Sequence, residues 1–119
     1  MNHNQKIGKF GEEVAAEYLK KKGYKIMDLN YRYSNQEIDI IAKIKEKIVF
    51  FEVKTRTSAK MGRAEDNINR KKINNVKIAL KAYLSHKGLN PEYAQIDFLA
   101  IDLDKNNNSA KIKHYFDII

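Results

Sequence analysis

Glu37-Ile38-Asp39-Ile40-Ile41-Ala42-Lys43-Ile44 runs through Lys45-Glu46-Lys47 into Ile48-Val49-Phe50-Phe51-Glu52-Val53-Lys54. Two stretches rich in branched and aromatic residues, parted by a polar tripeptide, read as a β-hairpin with strands at 37–44 and 48–54. Each strand carries a carboxylate among apolar neighbours, and an isolated carboxylate inside a sheet costs several kcal/mol unless something offsets it. A two-residue turn at Lys45-Glu46 places Asp39 directly opposite Glu52, with β-carbons roughly 4.5–5.5 Å apart. Two negative charges about 5 Å apart repel by roughly 3 kcal/mol at an effective dielectric of ~20. A sequence shaped only for folding avoids that pairing. A bridging Mg2+ or Mn2+ turns the repulsion into chelation, because hard cations take oxygen ligands. The turn lacks Gly and Asn, so a three-residue loop with a one-residue slip stays open. So does a solvated alternative, with Asp39 and Glu52 at sheet edges paired to lysines. Ile38, Ile40, Ile41, Phe50, Phe51 and Val53 crowd both acids and argue against it.

Lys54 follows Glu52 by two residues and shares its face. Its ammonium either neutralises charge developing at phosphorus, as in a phosphodiesterase, or forms a salt bridge to Glu52. Glu37 also shares Asp39's face, as a solvated neighbour or an outer-sphere group. Two carboxylates and a lysine on one face point to metal-assisted phosphodiester chemistry.

Working outward, residues 5–22 read as an amphipathic helix, with Ile7, Gly11, Val14, Ala15, Tyr18 and Leu19 at helical spacing. Lys20-Lys21-Lys22 suits its C-terminal dipole and Gly23 stops it. Gly8 and Gly11 sit three apart, where they permit close approach of another backbone. Tyr24 to Tyr33 reads as a first strand, and Ser34-Asn35-Gln36 turns the chain into the hairpin. The 48–54 strand is apolar on both faces and therefore central. A polar loop from Thr55 to Asp66 leads to a second helix at 69–87, with Ile73, Val76, Leu80, Tyr83 and Leu84 as its buried stripe and Gly88 and Pro91 ending it. Strands at 94–103 and 111–118 complete the order α-β-β-β-α-β-β, a mixed five-stranded α/β sheet with flanking helices.

A chain of 119 residues is expected to form one domain, 1–119, with a core that needs no staples. It has no cysteine, which excludes disulfides and thiolate zinc sites. Met1 to Lys9 is polar and no apolar run approaches membrane-spanning length, so the expectation is a cytoplasmic protein with no membrane partner. A net charge of +8 suits a polyanion, although 19 of the 23 basic residues are lysine, as on an ordinary solvated surface.

The ordered set Gly8-x-x-Gly11-Glu12, Ala15, Tyr18-Leu19, Gly23-Tyr24, Asn30, Glu37-Ile38-Asp39, Phe51-Glu52-Val53-Lys54-Thr55-Arg56, Gly62, Lys71 and Asp97 spans nearly the whole chain. In it the chain resembles the YraN-like family (uncharacterised protein family 0102), whose members look like restriction endonuclease-like PD-(D/E)xK nucleases and are most similar to archaeal Holliday junction resolvases. The resemblance implies that Asp39 and Glu52 are Mg2+ or Mn2+ ligands, Lys54 the catalytic lysine, and Glu12 a further acidic ligand or water-binding group. Gln36 departs from the glycine usual in the family, and Gln95-Ile96 from its frequent Arg-Phe. Asp97 is expected to be a buried hydrogen-bonding group.

Arg56, Lys60 and Arg63 in the loop, with Arg70, Lys71 and Lys72 opening the second helix, are the candidate nucleic-acid contacts. Lys77 and Lys81 continue that helix's outward face. No helix carries a base-reading polar face, so recognition of DNA structure or backbone is expected. The expected function is therefore metal-dependent hydrolysis of structured or branched DNA. The alternative is a non-catalytic nucleic-acid-binding or adaptor module of the same fold. Junction resolution needs two sites and hence a homodimer, for which the chain offers apolar strand surface but no distinctive motif.

Overall fold

A computed structural model describes residues 2–57, 62–104 and 106–119. Helix α1 spans His3–Lys21, strands β1 Lys25–Tyr33, β2 Gln36–Ile44 and β3 Lys47–Arg56, helix α2 Arg70–Lys87, and strands β4 Ala94–Asp104 and β5 Ser109–Tyr115. Short 3-10 turns at Ala64–Asn67 and Pro91–Tyr93 lead into α2 and β4. The five strands form one sheet in chain order, antiparallel except for the parallel pair β3–β4. A parallel pair needs a long crossover, and α2 supplies it. The expected order and the central place of β3 both hold.

Each face of the sheet carries one helix, because β2, β3 and β4 are apolar on both sides. Ile38, Ile41, Phe50 and Ile96 pack with Val76, Leu80 and Tyr83 of α2. Ile40, Val49, Phe51 and Leu99 pack with Ala15 and Leu19 of α1. Among the described residues no helix is long and apolar enough to cross a membrane.

Local chemistry sets the ends of the elements. Helix α1 starts two residues before the expected position, because Asn2 and Gln5 form a reciprocal capping box. Gly88, at φ +66°, gives α2 the left-handed cap that a β-carbon would strain. Strand β5 stops at Tyr115 rather than 118. Asp117 turns to φ +49° and donates its N–H to the Asp97 carboxylate, which takes the chain off the ladder.

Gly11 does what its position suggested: a β-carbon there collides with the Thr55 side chain, whose own Cβ lies 2.8 Å away, so α1 seats directly on β3. Gly8 does not, since a β-carbon at that position meets only open space.

Candidate functional site

The hairpin register decides whether the two acids meet. Ile44 pairs with Lys47 and Ile40 with Phe51, a two-residue turn in which Lys45 takes φ +53°. A non-glycine residue accepts that left-handed conformation so that the turn can match the strand twist. The next step beyond Ile40 and Phe51 brings Asp39 to Glu52. The ladder gives way there, and the Asp39 carboxylate accepts the Val53 N–H at 2.7 Å. Strand β2 also twists at this point. Ile38 packs toward α2 and Ile40 toward α1, although residues two apart on a regular strand share a face. Asn30, opposite Asp39 on β1, stands at φ +50°.

Asp39, Glu52 and Lys54 all line one cavity of about 490 Å³ beneath the N-terminal end of α2. Its other walls include Ile73, Val76, Ile96 and Phe98, so the acids sit against apolar surface. Burial, then the charge of Glu52, push the Asp39 carboxyl up to about 8, with the Val53 N–H pulling the other way. Burial likewise raises Glu52, and Lys72 only partly offsets it. Lys72 Nζ lies 3.2 Å from Glu52 Oε1, while Glu52 Oε2 is buried without a hydrogen-bond partner. An orphaned carboxylate oxygen costs about 1–3 kcal/mol or more.

Lys54 is exposed on the cavity wall, and the ammonium that reaches Glu52 is that of Lys72. Glu12 approaches from α1 and raises both acids through its charge. Its carboxylate, however, accepts from Asn30 Nδ2 at 2.8 Å. The same amide reaches Glu37 at 3.3 Å, and Glu37 pairs with Arg32 at 2.8 Å. Among the described residues no three acids or histidines are gathered closely enough to cage a metal by themselves. The structure thus joins Asp39 to Glu52 and leaves Glu12 beside them on a bridge through Asn30.

The candidate nucleic-acid contacts divide. Arg56 is 7% exposed, and Asp102 holds its guanidinium in a fork at 2.6 and 2.9 Å. It also donates to the Gly62 carbonyl, so its donors are committed to pinning the loop after β3. Arg63 is exposed but shared by Glu65 and Asp66 at 3.6 and 3.5 Å. Lys60 lies outside the described residues. Arg70 and Lys71 are exposed in the first turn of α2. Arg70 and Lys77 line an adjoining groove that shares Ile68, Ile73 and Ile118 with the acidic cavity. A basic track therefore runs from the acids along α2.

Sequence reading missed Lys72 as the partner of Glu52, and Asn67, whose buried Oδ1 is also unpartnered on the cavity wall. Helix phase held a signal for the first: Lys72 stands four residues before Val76, on the sheet-facing side of α2. Asp97 is fully buried, as expected of a hydrogen-bonding group. Its carboxylate takes Gln95 Nε2 at 2.8 Å, His114 Nε2 at 2.7 Å and the Asp117 N–H at 2.8 Å. It ties β4 to β5 and the C-terminal segment.

Comparison with known proteins adds a family. The model of "Uncharacterised protein family UPF0102" matches residues 11–119. The chain is 41% identical over 115 residues to a UPF0102 protein of Christiangramia forsetii, covering 97% of this chain and 93% of that one. It is 38% identical over 111 residues to one from Syntrophomonas wolfei, covering 93% and 95%. A UPF0102 protein of Alkaliphilus oremlandii is 40% identical over 111 residues, with 93% and 95% covered.

Proposed function

The chain belongs to Uncharacterised protein family UPF0102, and we propose that it is a nuclease that hydrolyses phosphodiester bonds of structured or branched DNA with a divalent cation. The observation that carries this reading is the convergence of Asp39 and Glu52 in one cavity, with Glu52 Oε2 left unpartnered. Two carboxylates raised by burial, Asp39 further by the charge of Glu52, form a donor set that a hard cation fits, since it supplies the missing charge and takes oxygen ligands.

Asp39 and Glu52 would hold Mg2+ or Mn2+, with Glu12 and its Asn30 bridge orienting the outer side. When bound, the cation supplies Lewis-acid stabilisation of charge at phosphorus and a more acidic water. The chain supplies the rest. Val53 N–H fixes the Asp39 carboxylate in place. The apolar residues on the cavity walls lower the local polarity, which strengthens each charge interaction beside them. Lys54, on the cavity wall, meets the non-bridging oxygens as negative charge builds. Arg70, Lys71 and Lys77 grip phosphates along the groove on one side of the scissile bond.

The test is incubation with branched, flap and single-stranded DNA, and with RNA, in Mg2+ or Mn2+. Cleavage abolished by Asp39→Asn and by Glu52→Gln supports the reading, and cleavage that survives either substitution rejects it. One observation favours a second reading, a nucleic-acid-binding or adaptor module without chemistry. The Lys72–Glu52 ion pair neutralises part of the acidic charge with no metal. That reading expects salt-sensitive binding indifferent to both substitutions, and no cleavage.

A further inference from the structure

Helix α2 brings a second lysine to the cavity beside Lys54, and the pairing it makes there is unusual. Lys72 Nζ contacts Glu52 Oε1 at 3.2 Å, yet the Lys72 side chain is 56% exposed and that of Glu52 18%. A half-exposed lysine at the cavity mouth therefore neutralises a carboxylate that is already enclosed. Glu52 Oε2 and Asn67 Oδ1 remain buried and unpartnered on the walls of the same cavity. One ammonium thus leaves the cavity short of donors. A group that carries more charge and demands several oxygens fits it better.

We infer that Lys72 is an exchangeable counter-ion, occupying Glu52 until a divalent cation takes its place and then turning outward to a substrate phosphate. The exchange rests on the cation site proposed above. Two positive charges compete for one carboxylate, so the lysine weakens cation binding in the free protein. Once displaced, its flexible four-carbon stem carries the ammonium to the mouth of the cavity, beside Arg70 and Lys71 in the first turn of α2. Cation loading thereby adds a positive charge to the DNA-facing surface beyond the cation itself. Binding of cation and of phosphate become mutually reinforcing, as linkage requires.

The experiment is Mn2+ titration of the full chain without DNA, followed by the electron paramagnetic resonance signal of free Mn2+, for wild type, Lys72→Met and Lys71→Met. Lys72→Met is expected to bind Mn2+ about five-fold more tightly, the loss of a half-exposed competing ion pair worth ~1 kcal/mol. Lys71→Met is expected to match wild type. Fluorescence anisotropy with a short DNA duplex gives the second readout. Lys72→Met is expected to lower DNA affinity more in Ca2+ than in chelator, whereas Lys71→Met lowers it equally in both. Mn2+ affinity in Lys72→Met equal to or below wild type overturns the exchange while the cation site stands. No Mn2+ binding by wild type or Lys72→Met overturns the cation site and the exchange with it.

Discussion

Replacing Asp39 by Asn should make the protein more resistant to alkali when no divalent cation is present. In the unfolded chain the Asp39 carboxyl ionises near 3.8, and in the folded protein burial and Glu52 hold it protonated up to about 8. Below the lower value both states carry the proton and the group adds no pH dependence. Between the two values the folded state binds more protons than the unfolded one, so stability falls as pH rises. Above about 8 the folded carboxylate is ionised too, and the penalty is complete. Each pKa unit corresponds to about 1.4 kcal/mol, so a shift of this size carries up to ~6 kcal/mol, and ~2–3 kcal/mol once water relaxes into the cavity. Asn keeps the shape, and its carbonyl oxygen still accepts the Val53 N–H, but it has no proton to lose. Urea denaturation followed by circular dichroism at pH 5, 7 and 9 in chelator measures the difference, and subtracting the two proteins cancels the titrating groups that do not interact with Asp39. The Asn variant should gain ~2–3 kcal/mol on wild type between pH 5 and 9. Parallel stability curves would show that Asp39 is not held in a desolvated, mutually repelling pair.

Three further outcomes follow from the same contacts. Arg56→Ala strands Asp102 and releases the loop at Gly62; it should cost about 3–5 kcal/mol in urea denaturation, with Asp102→Ala costing nearly as much and the double variant little more. Asp97→Ala leaves Gln95, His114 and the Asp117 N–H without their acceptor, and should cost about 3 kcal/mol and raise hydrogen exchange in 114–119. Gly11→Ala forces α1 away from Thr55, which should cost about 1–3 kcal/mol, with Thr55→Ala restoring part of the loss, whereas Gly8→Ala should be neutral or stabilising.

The fold was legible because hydrophobic period changes cleanly along the chain. Ile48 to Phe51, apolar on both faces, announced a central strand, and the stripe from Ile73 to Leu84 announced α2. The meeting of Asp39 with Glu52 was legible too, once a two-residue turn was assumed. No turn residue guaranteed it, because Lys45 pays the left-handed conformation without being Gly or Asn. Long-range partnerships were not legible. Arg56 reads as a free loop cation until β4 places Asp102 beside its fork. Lys72 reads as one of three adjacent basic residues until the packing of Val76 turns it inward. Sequence gives a residue's face, and which opposite charge the fold carries there depends on strands far along the chain. The same limit applies to Glu12, whose carboxylate is claimed by Asn30 across eighteen positions.

The most direct measurement is anomalous X-ray diffraction from crystals of the protein soaked in Mn2+. The account requires a Mn2+ peak between the Asp39 and Glu52 carboxylates, at ordinary Mn–O distances, with Lys72 Nζ moved off Glu52. Well-diffracting crystals with both carboxylates ordered, no peak at that position, and Lys72 still paired with Glu52 would contradict it.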